Sequence, residues 1–235
     1  MKMYRVEDKY DCTVQEMVQL QHRLSMALRA DDNEEDAKGY QVASLYFDDL
    51  ADSCLNATKE GSDRRCKYRI RIYNGSFETI KLEVKEKKGS RIWKKSRRIT
   101  EGEMRQLICG QCIQAYPAPE DPAFLFNAAI QTRLLRPKVA VAYERKAYIY
   151  DPGNVRITFD RSVRASRQVM DFGVREMVYD ALPGQDAVLE IKYDELLPKF
   201  IQQLLELESM RQTAYSKYQL CRERYEATPV SQYLF

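Results

Sequence analysis

Residues 66–87 read CKYRIRIYNGSFETIKLEVKEK, two runs of alternating character on either side of Asn74-Gly75. Successive side chains of a strand point to opposite faces, so Lys67, Arg69 and Arg71 share one face while Tyr68, Ile70 and Ile72 share the other. Beyond the Asn-Gly pair, which favours a tight hairpin turn, Lys81, Glu83, Lys85 and Lys87 oppose Leu82 and Val84. The stretch predicts an antiparallel hairpin with one apolar face and one mainly cationic face.

Working outward, 41–47, 92–99, 138–150, 155–160 and 187–194 alternate in the same way, and 4–11 supplies one more strand. Short turns with Gly or Asn, such as Lys88-Gly89 and Gly153-Asn154, link neighbours and favour hairpins over crossovers. Helices are expected where Thr13 with Glu16 and Thr100 with Glu103 form capping boxes, the second stopping at Gly110. Asp121-Pro122 and Pro198 open two more, and 215–225 is a C-terminal helix. The fold class is α+β, an antiparallel β-barrel with flanking helices, and residues 1–235 are read as one domain.

Composition narrows the chemistry. A hydrophobic fraction of 44% with 31% charged residues lies far from the disordered range. No apolar run approaches the roughly 18 residues that span a bilayer, and MKMYRVEDKY lacks the apolar core of a signal peptide, so a cytoplasmic location is expected. The one histidine, His22, lies in a helix beside Gln21 and Arg23, which leaves carboxylates, Lys, Arg and a metal to carry any chemistry. Cys109 and Cys112 form a CGQC without a second pair or a nearby histidine, and read as a helix end plus turn rather than a redox or zinc site.

The remaining strands divide as the hairpin does. Tyr143 and Arg145 alternate with Ala142 and Glu144, Arg156, Thr158 and Asp160 oppose Val155, Ile157 and Phe159, and Glu190 and Lys192 oppose Leu189 and Ile191. For any one strand, a solvated outer face explains the pattern. Five strands whose polar faces hold Lys and Arg with only a few carboxylates explain more if they converge on a lumen whose low-dielectric walls focus positive potential. Such a lumen suits a long polyanion, with Arg as a planar fork and Lys as a point charge. Carboxylates there would serve a cation, and with phosphate oxygens they form the usual ligand set of Mn²⁺ or Mg²⁺. Glu190 could instead pair internally with Lys192 or Arg156.

Arg-x-Glu-x-Lys-Tyr at 5–10, SLYFD at 44–48, RIRIY at 69–73, LEVK at 82–85, YER at 143–145, VRITFD at 155–160, VLEIK at 188–192 and SKY at 216–218 resemble, in order, the catalytic domain of the vacuolar transporter chaperone (VTC) family, a triphosphate tunnel metalloenzyme. The resemblance spans 5 to about 221 and implies an ATP-dependent polyphosphate polymerase that moves the terminal phosphoryl group of ATP onto a growing chain. It implies that Lys9, Arg69, Arg71, Lys85, Arg145, Arg156 and Lys217 grip phosphates, that Tyr143 and Ser216 add hydroxyl contacts, and that Lys192 joins them. It implies Lys95 and Arg98 as the phosphate-binding cations after LEVK, Glu190 as metal ligand, and Glu7 and Glu83 as inward carboxylates for metal or water. The family also implies a membrane-protein partner, although the regulatory domain and membrane helices that accompany the domain in the fungal complex have no counterpart in this sequence.

Two alternatives stand beside this reading. A tripolyphosphatase or nucleoside triphosphatase would use the same grip, with Glu7 activating water. A module that binds polyphosphate or an inositol phosphate without turnover is disfavoured by carboxylates among its cations. Nucleic acid is not an expected partner, because the 16 tyrosines are spread through both faces and the helices instead of marking an exposed basic patch.

Overall fold

The computed structural model describes residues 5–31, 34, 39–89, 91–174, 176–182 and 187–226. In chain order the elements are β1 (Val6–Cys12), α1 (Val14–Ser25), β2 (Arg29–Ala30), β3 (Tyr40–Asp48), α2 (Ser53–Lys59), β4 (Arg64–Tyr73), β5 (Ser76–Lys88) and β6 (Arg91–Ile99). They continue with α3 (Glu101–Ile108), α4 (Pro122–Arg133), β7 (Arg136–Tyr150), β8 (Val155–Ser166), β9 (Asp180–Ala181), β10 (Ala187–Tyr193), α5 (Lys199–Leu204) and α6 (Lys217–Glu226). Both capping boxes are formed, at Thr13 with Glu16 and at Thr100 with Glu103. Three elements escaped the sequence pattern: α2, β2 and β9 are too short to show a period. Tyr4 and most of the polar 31–39 stretch lie outside the described residues.

The long strands form one antiparallel sheet in the order β1-β10-β8-β7-β3-β4-β5-β6, with β2 and β9 as short additions beside β7 and β8. Asn74 (φ 50°) and Gly75 (φ 67°) both adopt left-handed backbone at the β4–β5 turn, as a twist-matched hairpin requires. Among the described residues the sheet does not close into a continuous barrel. It curls until its two edges touch at a single bridge, where the Arg5 amide donates to the Ile92 carbonyl at 3.4 Å. On its other flank β1 is covered by residues 211–213, through Asp11 N to Arg211 O at 3.2 Å and Thr213 N to Lys9 O at 2.8 Å.

The apolar faces of this curled sheet point outward. One cluster buries Ile70, Ile72, Leu82, Val84 and Trp93 with Met104, Leu107 and Phe126 of α3 and α4. A second buries Ile157, Phe159, Leu189 and Ile191 under Met17, Leu20 and Leu24 of α1 and Ile201 of α5. The hydrophobic core is therefore a jacket around the sheet, and the polar faces are forced to meet on the inside.

Candidate functional site

The inward faces enclose a cavity of about 260 Å³. Twelve of its twenty lining residues are Lys or Arg and two, Glu7 and Glu190, are carboxylates, so its field is strongly positive at neutral pH. Every strand except β2 and β9 supplies a lining residue, and Ser216, Lys217 and Tyr218 come from the N-terminal end of α6.

Two layers of charge are distinguishable. Behind the lining lie fully buried carboxylates that fix the cations. Asp160 accepts two bonds from the Arg145 guanidinium, at 2.6 and 2.7 Å, and pairs with Lys217 at 2.6 Å. Glu83 pairs with Arg69 at 2.6 Å and Arg71 at 3.9 Å and also contacts Lys94. Burial alone would raise the Asp160 carboxyl, but Arg145 and Lys217 overcome it and hold it down at about 2. Glu83 is held well below the carboxylate range by Arg69, Arg71 and Lys94 against the same burial. Hydroxyls complete the arrangement: Tyr46 accepts from Arg69 at 3.1 Å, Ser44 and Tyr143 from Arg71 at 3.2 Å, and Tyr40 from Arg156 at 2.9 Å, with Asp31 as the ion-pair partner of Arg156.

Glu7 and Glu190 belong to the inner layer. Glu7 receives Lys85 on both oxygens, at 2.8 and 2.9 Å, and lies 3.4 Å from Lys9 and 3.8 Å from Lys192. Glu190 contacts Lys192 and lies 3.7 Å from Lys9. Burial and mutual repulsion raise Glu7, yet Lys85, Lys192 and Lys9 pull it far below its ordinary value. Two ionised carboxylates that share Lys9 and Lys192 and face the cavity suit a divalent cation, which takes one or two carboxylates and completes its shell with phosphate oxygens and water. No group of three metal-ligating side chains occurs among the described residues, so phosphate oxygens would have to supply the rest.

Of the residues expected from sequence, Lys9, Arg69, Arg71, Lys85, Arg145, Arg156, Lys192, Lys217, Tyr143, Ser216, Glu7 and Glu190 all line the cavity. Three of the expected residues lie elsewhere. Glu83 sits behind the lining, wholly buried, with Arg69, Arg71 and Lys94 as its ion-pair partners. Lys95 points outward, 3.3 Å from Glu120, because β6 turns its odd-numbered residues toward the jacket; Lys94 reaches the lumen in its place. Arg98 shares the inward parity of Lys94 but is exposed at the rim, donating to the Thr79 hydroxyl at 2.6 Å, and does not line the cavity. Sequence reasoning missed Asp31 and Lys94, and placed Lys67 and Asp160 on the polar faces without giving either a role. The signal for Lys94 was available: Trp93 and Ile99, the apolar members of β6, share odd parity with Lys95. Cys109 caps α3, Gly110 follows with φ 75°, and both CGQC thiols are free and exposed.

A family model described as VTC domain matches residues 4–225. The chain belongs to the VTC domain family. No curated protein sequence matches this VTC domain. Solved structures share its fold at low identity. A "putative adenylate cyclase" from Bacillus halodurans superposes with a TM-score of 0.54 at 12% identity, covering 92% of this chain and 95% of that one. A similarly described protein from Vibrio parahaemolyticus gives 0.51 at 12%, covering 94% and 98%. The PH1819 protein of Pyrococcus horikoshii gives 0.50 at 15%, covering 94% and 99%. The VTC domain thus has the triphosphate-tunnel fold, and no helix among its described residues is long and apolar enough to cross a membrane.

Crowding of cations gives the site a measurable pH signature. Lys67 and Lys85 are held below the usual lysine range by burial first and by neighbouring cations, and Lys94 is lowered to about 7 by burial together with Arg69 and Arg71. A bound polyanion stabilises the protonated forms and raises these values. Binding therefore takes up protons, and affinity falls as pH rises above about 7. Calorimetric titration of tripolyphosphate in two buffers of different ionisation enthalpy should show net proton uptake at pH 8; identical heats in both would exclude it.

Proposed function

We propose that this VTC domain is an ATP-dependent polyphosphate polymerase. The observation that carries the reading is a lumen lined by twelve cations and only two carboxylates, both on the surface of the cavity. It supports a substrate of several consecutive phosphoryl groups together with a divalent cation, Mn²⁺ or Mg²⁺, held by Glu7 and Glu190. When bound, that cation would neutralise charge on the phosphate oxygens.

The side chains support transfer by positioning and electrostatics, which is what phosphoryl transfer asks of a protein. Arg69, Arg71 and Arg145 present guanidinium groups held still by Glu83 and Asp160, so little reorganisation is needed as charge spreads over the peripheral oxygens. Lys9 and Lys85 bring ammonium groups to the level of Glu7 and Glu190, where the transferred group would lie.

Transfer to a phosphate is favoured over transfer to water by the state of Glu7. A hydrolase needs a carboxylate to take a proton from water, and Glu7 has both oxygens on Lys85 and a strongly lowered pKa, which makes it a poor base. The terminal oxygen of a polyphosphate is already anionic and needs none. Incubation with ATP and Mn²⁺ or Mg²⁺, following ADP, free phosphate and polymer together, tests this: polymer should form in step with ADP. Free phosphate without polymer would replace the polymerase by a hydrolase. Tight polyphosphate binding without turnover would replace it by a receptor.

A further inference from the structure

The apolar jacket leaves a cleft of about 550 Å³ on the outer side of the tunnel wall. Alternation turns Cys66, Tyr68, Val84 and Trp93 away from Lys67, Arg69, Lys85 and Lys94, and it is the outward set that lines the cleft. Ala57 of α2 and Leu125 of α4, both half-buried, supply its walls. The Arg133 guanidinium lies 6.0 Å from the Tyr68 ring centroid and is fixed by Asp49 at 2.5 Å. Other charges around the cleft are paired as well, Arg64 with Glu86 at 3.2 Å and Glu120 with Lys95 at 3.3 Å. Arg65 differs. Among the described residues no carboxylate lies within ion-pair distance of it, and after burial it is the main cause that lowers Lys87.

The structure assigns to this cleft a small organic anion, with an aromatic body against Tyr68, Val84 and Trp93 and one acidic group on Arg65. An opening of this size with an apolar floor and few polar groups is the usual form of a small-molecule site. Flat rings suit it, since Tyr68 and Trp93 are aromatic and the Arg133 guanidinium stacks on planar groups. Charge decides the rest. Arg65 has cationic neighbours and lacks a counter-ion, so one negative group is attracted to it. A chain of phosphates would instead lie against valine and ring carbons, with nothing to receive its other charges.

The ligand would be held back to back with the phosphate-facing side chains. Tyr68 stands between Lys67 and Arg69, and Val84 between Glu83 and Lys85, so the thickness of the strands separates the cleft from the lumen. The site requires no turnover and is independent of the polymerase reading.

Binding of anilinonaphthalene sulfonate, an aromatic monoanion, and of its uncharged counterpart phenylnaphthylamine tests the assignment, with emission of the single tryptophan, Trp93, giving each dissociation constant. Thiol alkylation by N-ethylmaleimide, followed residue by residue by mass spectrometry, locates the probe. Cys66 lines the cleft, Cys109 and Cys112 are exposed outside it, and Cys12 and Cys221 are buried elsewhere. At about ten times its dissociation constant the sulfonate should slow modification of Cys66 about tenfold and leave Cys109 and Cys112 unchanged, with Cys12 and Cys221 unmodified as in a folded chain. Saturating tripolyphosphate, which takes the lumen, should leave Cys66 protected. Arg65→Ala, shown to be folded by thermal unfolding, should weaken the sulfonate about tenfold and leave phenylnaphthylamine unchanged. Cys66 modified equally fast with and without the sulfonate, or deprotected by tripolyphosphate, would overturn the site. Equal weakening of both probes in Arg65→Ala would overturn the acidic group as part of the ligand.

Discussion

Glu190→Gln should reduce turnover of ATP into polymer by about 100-fold or more while tightening the binding of tripolyphosphate in the absence of metal. The two directions follow from one geometry. Glu190 faces the cavity and shares Lys9 and Lys192 with Glu7. Its charge opposes a bare polyanion, because burial is outweighed by Lys192, Lys9 and Lys217 and the carboxyl stays ionised. The amide removes that repulsion and frees lysine charge for phosphate, but it is a far weaker ligand for a divalent cation. Glu7 continues to pair with Lys9 and Lys192, so the wall keeps a counter-ion. Turnover and metal-free binding measured on the same preparation decide the matter: if both fall together, Glu190 merely props the lysines.

Asp160→Ala should lower the unfolding free energy by about 3–5 kcal/mol. Arg145 and Lys217 would be left charged in a nearly buried wall, with Tyr143 as their aromatic neighbour, 5.2 and 4.8 Å from its ring centroid. Denaturant melts measure the loss. Because the excess cations of the variant are the same ones an anion would neutralise, polyphosphate should recover more stability in Asp160→Ala than in wild type; equal stabilisation of both would show that the cations relax to solvent. The pH dependence has a definite sign. The folded carboxyl titrates at about 2, below the ordinary aspartate range, so its contribution is complete above that range and disappears as pH falls toward 2. The variant should lack this part of the acid transition.

The split of CKYRIRIY into cationic and apolar faces correctly separated lumen from jacket, because a strand's period of two leaves few alternatives. The same logic, carried through β8 and β10, brought Arg156, Glu190 and Lys192 together. It was weakest in β7, where Tyr143 and Arg145 alternate with Ala142 and Glu144, and neither list looks plainly inward. Counter-ions were hard to read, since Glu83 and Glu190 have the same alternation and differ only in depth: Glu83 lies behind three cations, and Glu190 lines the cavity beside Lys9 and Lys192. Depth depends on the curl of the sheet, which no single strand encodes. Arg98 shows a related difficulty, because parity gives its face correctly and says nothing about how near the rim it lies.

The seam where Arg5 meets Ile92 also bears on how the protein behaves at high concentration. Touching at one bridge leaves most of the outer backbone of β6 without a strand partner among the described residues, and bare edges are where further chains add and aggregation begins. That edge carries Lys94, Lys95, Arg97 and Arg98 within five residues. A second copy laying its own β6 alongside would bring these cations together, which disfavours edge-to-edge pairing.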